Sequence, residues 1–378
     1  SACFPSGQRA PGRLSIPKRC DGLNGPFPRM ANRSMPKTRY RSLTAAVLFL
    51  SVVSGAQGQP AADPPALAYD AQTSGPVPVP PSERGLQSVV AQPWFKVSDQ
   101  GWVLEGLAFD RDQNLFICDV TGRRVLRLTP GRQLSTVVET GDLAPGGIAV
   151  HRDGRVFIAA MDMARGSGAI LSVLPDGSGL RAVIPQGAGF MPNDLVFDAS
   201  GGFYFTDFRG VSTDPRGGAY YVSPDFGATT PVLPRLAMGN GVALSPDGRM
   251  LWATEFARNL LHRVELANAT TPTPIGTAIP YHFTGPAPDS MRADSDGNLY
   301  VAVYGQGRVL VFNRNGIPIG QVLLPGREEG HNLITTSIAI RPGTDELYVA
   351  TSDGQGGQGA SIFRARAFAK ALELHPHR

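Results

Sequence analysis

The stretch Asn193-Asp194-Leu195-Val196-Phe197-Asp198-Ala199-Ser200-Gly201-Gly202-Phe203-Tyr204-Phe205-Thr206-Asp207 carries two short apolar runs around a turn of Asp, Ser and Gly. Alternating β-branched and aromatic residues read as strands, and the Gly-rich break between them reads as a hairpin turn. The same pattern recurs five more times. First strands begin at Gly106, Gly147, Asp194, Gly241, Ser290 and Ser337, with spacings of 41, 47, 47, 49 and 47 residues. Second strands follow as Asn114-Leu-Phe-Ile-Cys, Arg155-Val-Phe-Ile-Ala, Gly202-Phe-Tyr-Phe-Thr, Met250-Leu-Trp-Ala-Thr, Asn298-Leu-Tyr-Val-Ala and Glu346-Leu-Tyr-Val-Ala. Repeats of this length built from short strands predict an all-β fold, a six-bladed β-propeller. A helical solenoid is excluded because no long amphipathic helix appears. The segment from Gln87 to Val97 is expected to supply a strand that closes the ring with the last blade.

The residue just before each first strand is Glu105, Gly146, Asn193, Asn240, Asp289 or Thr336. In a propeller these six equivalent positions converge on the central channel. Converging carboxylates repel unless a cation lies between them. Glu105, Asn193, Asn240 and Asp289 form an oxygen-rich set that suits Ca²⁺, and the absence of His and Cys argues against zinc. The competing reading is that Asn and Asp merely shape turns before strands. The Asp294-Ser-Asp-Gly-Asn segment resembles the start of an EF-hand loop. Its counterparts His151-Arg-Asp-Gly-Arg and Ser245-Pro-Asp-Gly-Arg mark it as a hairpin turn. No Gly-x-Ser-x-Gly elbow is present, so a serine triad is not expected.

Composition bounds the partners. The 378 residues carry a formal charge of +4. Nine of the 35 Lys/Arg and one of the 31 Asp/Glu fall in residues 1–58, which leaves 26 basic and 30 acidic residues beyond them. The basic excess lies in the leader, so no nucleic-acid partner is expected. Residues 1–58 read as a leader with a signal peptide: basic Lys37, Arg39 and Arg41, an apolar run at 43–53, and small residues allowing cleavage after Ala56 or Gly58. Met30 or Met35 would serve as the start. The run is short for a membrane span, so a periplasmic or secreted protein without stable membrane insertion is expected. Residues 59–85, rich in Pro and Ala, read as a linker, residues 86–370 as the propeller and 371–378 as a tail. Of three cysteines only Cys118 follows the leader, which excludes an internal disulfide and a Cys-based zinc site in the mature chain.

Several motifs together resemble the senescence-marker-protein/gluconolactonase/luciferin-regenerating-enzyme family: Leu104-Glu-Gly-Leu, Asn193-Asp-Leu-Val-Phe-Asp, Tyr204-Phe-Thr-Asp, Gly239-Asn-Gly-Val-Ala-Leu-Ser and Gly305-Gln-Gly-Arg-Val. Gly202-Phe-Tyr-Phe-Thr-Asp-Phe-Arg-Gly, Tyr281-His-Phe-Thr-Gly, Pro288-Asp-Ser and Gly326-Arg-Glu-Glu-Gly-His are similar to its drug-responsive bacterial lactonases. The resemblance implies a six-bladed propeller with one divalent cation in the channel, Ca²⁺ first and Zn²⁺, Mn²⁺ or Mg²⁺ as alternatives. It implies hydrolysis of a small-molecule lactone, with Glu105, Asn193, Asn240 and Asp289 as ligands, Asp289 also as the catalytic residue, and Ser290 as a further ligand. Regucalcin-like members carry an arginine where this chain has Met191, which sets recognition of a sugar-acid lactone in doubt. The loop at 185–190 lacks the acid of the lactonases' second Ca²⁺ site. Met191, Asn193, His282 and His331 are the candidate substrate contacts, with Phe190 beside Met191 as an apolar wall. A monomer or weak homo-oligomer is expected. The rival reading is a non-catalytic propeller that uses the cation to hold a small polar ligand.

Overall fold

Each apolar run of the six repeats is a strand, and the Asp-Gly breaks between them are turns. The computed structural model describes residues 66–69 and 73–373. The apolar run at 43–53, the cleavage positions Ala56 and Gly58, Cys3, Cys20 and the tail from residue 374 lie outside the described residues.

Six sheets, antiparallel but for one added strand, follow one another among the described residues. Their inner strands are Leu104–Phe109, Ala144–Val150, Pro192–Phe197, Gly239–Leu244, Pro288–Ala293 and Ile334–Ile340. Each packs against the next, and the sixth packs against the first, so the ring is closed. We number the blades one to six in that order. Blades one to five are consecutive meanders. Blade six takes its outermost strand from Gln92–Ser98, which pairs antiparallel with Ala360–Arg366. The segment expected to give one closing strand therefore gives two, because Gln87–Val90 pairs in parallel with Pro318–Leu323 of blade five instead.

The core is six wedges, one between each pair of neighbouring blades. This explains why the strands are apolar on both faces. In blade three, Phe203 and Phe205 fill the wedge shared with blade two, and Tyr204 fills the wedge shared with blade four. Cys118 is a buried free thiol in the wedge between blades one and two.

The stretch expected to be a linker through residue 85 ends in a docked turn. Pro81–Glu83 is a single 3-10 turn, and its buried Glu83 accepts hydrogen bonds from the buried Arg308 guanidinium and the Tyr281 hydroxyl. The partners lie 198 and 225 residues from Glu83, so local composition could not reveal the contact.

Candidate functional site at the channel mouth

Every inner strand carries a one-residue bulge at the same place. Between Glu105 and Ala108, three steps on the inner strand oppose two on its partner, and the register slips likewise in the five other blades. Bulges re-aim side chains and are common beside functional sites. Here they bracket the ring positions Glu105, Gly146, Asn193, Asn240, Asp289 and Thr336. The backbones are crowded: a Cβ on Gly106 would come within 2.2 Å of the Gly146 carbonyl oxygen, and one on Gly241 within 2.5 Å of the Asp289 carbonyl oxygen.

Two threonines clamp this crowded layer. Thr254 accepts from Gly241 N at 2.6 Å and donates to Asp289 O at 2.9 Å. Thr206 accepts from Asp194 N at 3.1 Å and donates to Asn240 O. Each hydroxyl joins its own blade's bulge to the ring residue of the next. Acids that follow the second strands hold the approaching loops. Asp207 accepts from Met191 N at 3.0 Å, Glu255 from Ala237 N at 2.9 Å, and Asp353 from Asn332 N at 2.9 Å.

Within the ring, the Glu105 and Asp289 carboxyls lie close enough to influence each other, and the Asn240 amide lies near enough to Asp289 to favour its charged form. Asp289 Oδ1 accepts from Ser290 N at 2.9 Å. Burial pushes the Glu105 carboxyl well up, and the charges of Asp289 and Asp194 push it further. Burial likewise pushes Asp289 well up, against the hydrogen bonds from Ser290 N and Asn240. Asp194 lies directly behind the ring and is raised by burial, with the Arg292 guanidinium 3.1 Å away pulling the other way. Three buried carboxylates therefore face one partly buried guanidinium. Such an excess is costly unless protons or a cation balance it.

The donor set fits a hard divalent cation. Asn240 Oδ1 is buried without a hydrogen-bond partner, and a buried orphan acceptor is costly unless a cation or donor meets it. Ser290 Oγ also makes no well-aligned hydrogen bond, although it lies near enough to Asp194 to favour that carboxylate. Among the described residues no three His, Cys, Asp or Glu side chains converge to hold a metal by themselves, so the amides would have to contribute.

The structure brings Glu105, Asn240 and Asp289 together, with Ser290 joined to Asp289 through its N–H, while Asn193, two residues after Met191, has its Nδ2 3.8 Å from Met161 Sδ. His282 and His331 join none of their hydrogen bonds. His282 ends the outermost strand of blade four, exposed and paired with Leu260. His331 Nδ1 lies 3.1 Å from both carboxylate oxygens of Asp353. Phe190 packs against Phe205 and Tyr220 on the flank of blade three, apart from Met191. Sequence reasoning passed over Asp194, Arg292 and Tyr304. Burial raises the Tyr304 phenol, and the nearby charges of Asp289 and Glu105 raise it further, which places it at the mouth. The opposite end of the channel is different: an apolar cavity of about 150 Å³ lined by Leu107, Ile148, Leu195 and Val242, with Arg292 between it and the ring.

A closed ring of six blades, with acids and amides gathered at one end of its channel, defines a propeller with a polar axial site. The chain belongs to the SMP-30/gluconolactonase/LRE-like family, whose model matches residues 103–353. It is 46% identical over 317 residues to a lactonase drp35 of Staphylococcus haemolyticus, covering 82% of this chain and 97% of that protein. Against lactonase drp35 of Staphylococcus aureus (strain USA300) the identity is 44% over 312 residues, covering 82% and 96%. Among solved structures, a regucalcin of Agrobacterium tumefaciens matches with TM-score 0.61 at 18% identity, covering 76% of this chain and 98% of that one. A gluconolactonase of Xanthomonas campestris matches at 0.59 and 19%, covering 74% and 96%. At these identities the solved structures bear on the fold alone.

Proposed function

We propose that the chain is an exported, cation-dependent lactonase. The observation that carries this reading is the buried pairing of Glu105 with Asp289 beside the unpartnered Asn240 Oδ1. Glu105, Asn193, Asn240 and Asp289, with Ser290, would hold one divalent cation, Ca²⁺ first because every donor is oxygen. When bound, such an ion supplies Lewis-acid polarisation of an ester carbonyl. The protein's own part is positioning and proton transfer. Asp289, raised by burial, is suited to accept a proton from the attacking water and to return it to the alkoxide oxygen as the lactone opens. Its Oδ1 is fixed by Ser290 N, so the carboxylate is held in one orientation. Membership of the family and the identity to proteins named lactonase support the reaction class. Export rests on the leader, and a monomer or weak homo-oligomer is the state we assign.

The test is a panel of γ- and δ-lactones, assayed after EDTA treatment and after repletion with Ca²⁺, Mn²⁺, Mg²⁺ or Zn²⁺. EDTA should silence hydrolysis and one of the ions should restore it. Asp289→Ala and Glu105→Ala should each lower kcat/KM by about a thousandfold or more, with circular dichroism and thermal unfolding showing an intact propeller. Wild-type turnover in both variants would sink the proposal.

A further inference from the structure

A seventh apolar cluster belongs to none of the six wedges. Met161, Met191 and Phe208 are buried in it, and the partly exposed Met238 and Phe256 pack against them. Its members stand at the mouth. Met161 Sδ lies 3.8 Å from Asn193 Nδ2, Met191 precedes Asn193 by two residues, and Met238 precedes Asn240 by two. Phe208 meets Phe256 edge-on at 5.6 Å, and Phe256 meets Tyr304 at 5.7 Å. The arc thus runs over blades two to five. On the side of blade six, the loop instead carries His331 and Asn332 bound to Asp353.

Met238 is the telling member. Its φ is 58°, in the left-handed region where a glycine is at ease and a side chain is strained. The backbone there is held at both ends: Met238 N donates to Arg209 O at 3.2 Å, and its carbonyl accepts from Phe256 N at 3.0 Å. Glycine would satisfy the same hydrogen bonds without strain. Strain kept beside a site points to a role for the side chain that carries it. The Met238 side chain is only partly buried, so core packing alone does not account for it. Thioether chains are flexible and polarisable, and they adapt to variable apolar partners.

We infer that Met238, with Met161, Met191, Phe208 and Phe256, is a specificity wall that selects lactones bearing an apolar substituent. The lactone carbonyl would lie over Asn240 and Asp289, and the substituent against the thioethers and phenyl faces. The inference rests on the lactonase reading and names the substrate class of that same site.

The experiment compares γ-butyrolactone with γ-nonalactone, which differ by a five-carbon chain. Wild-type kcat/KM should favour γ-nonalactone. In Met238→Gly that preference ratio should fall by about tenfold, within the range that methylene contacts provide. The thermal midpoint of this variant should stay level or rise, because glycine relieves the left-handed strain. Met238→Ala keeps the strain and loses the contact, so it should show the same fall in preference without the gain in stability. A binding readout is independent of turnover: a γ-lactam carrying the same five-carbon chain should stabilise the wild type against heat more than it stabilises Met238→Gly. An unchanged preference ratio in Met238→Gly, with lactones still hydrolysed, would overturn the wall alone. Failure of the unaltered, cation-loaded protein to hydrolyse any lactone would overturn the proposed function and the wall with it.

Discussion

At one end of the channel the inner strands present Glu105, Asn193, Asn240 and Asp289; a few residues along, inner strands present Leu107, Ile148, Leu195 and Val242 around a cavity of about 150 Å³. The two ends are separated by one bulge per strand and by the Asp194–Arg292 pair. An extra residue lets polar side chains converge at the mouth while the apolar register behind them stays in place. Site and scaffold share the inner strands yet carry different costs. At the mouth, side chains are held in buried, like-charged company that weakens the fold; at the far end, apolar contacts sustain it.

The boundary between the two ends is the place where a substitution should cost most. Arg292→Met would leave Asp194 buried without its counter-charge, and should lower stability by about 3–5 kcal/mol in urea unfolding. A loss below about 1 kcal/mol would mean that Asp194 carries a proton in the native protein and that the two ends are not divided by an ion pair. A smaller effect is expected at the far end. Ile148→Ala opens a hole in the wedge between blades one and two and beside the apolar cavity, and should cost about 3 kcal/mol. Blade two has glycine at its ring position, so kcat/KM for lactones should change little in that variant. A large fall would show that the two ends are coupled.

The smallest effect concerns a loop acid at the mouth. Burial alone would raise Glu255, but His262 Nε2 at 2.8 Å, the Ala237 N–H and the Arg258 charge outweigh it and hold the carboxyl below the usual glutamate range. A depressed acid contributes stability at pH above its unfolded value, near 4.5, and that contribution is lost as pH falls through the lower folded value. The thermal midpoint should therefore decline below about pH 4.5, and Glu255→Gln should flatten that decline. An unchanged pH profile would remove Glu255 from the elements that hold the mouth.

Much of the mouth was legible because a propeller repeats. Glu105, Asn193, Asn240 and Asp289 occupy one position in a six-fold pattern, so the repeat by itself groups them. Asp194 and Arg292 were hidden by the same regularity. Each sits among strand residues where alternation predicts packing, and only the channel axis makes them neighbours across 98 residues. Tyr304, Phe256 and Met238 were missed for a related reason: they lie on connections, where the repeat is weakest. The Pro-rich run before the propeller gives no sign of the docked Glu83 near its end, because composition reports backbone stiffness and says nothing of a docked carboxylate.

By itself the sequence determined the number of blades, the alternation that fills six wedges and the oxygen-rich character of one ring of positions. These follow from local periodicity, which each strand carries within itself. The tertiary structure decided which charges share the axis, which methionine is strained beside Asn240 and which acid anchors the chain's approach to blade five. Those depend on closure of the ring, and closure brings together residues whose chemistry has no local signature.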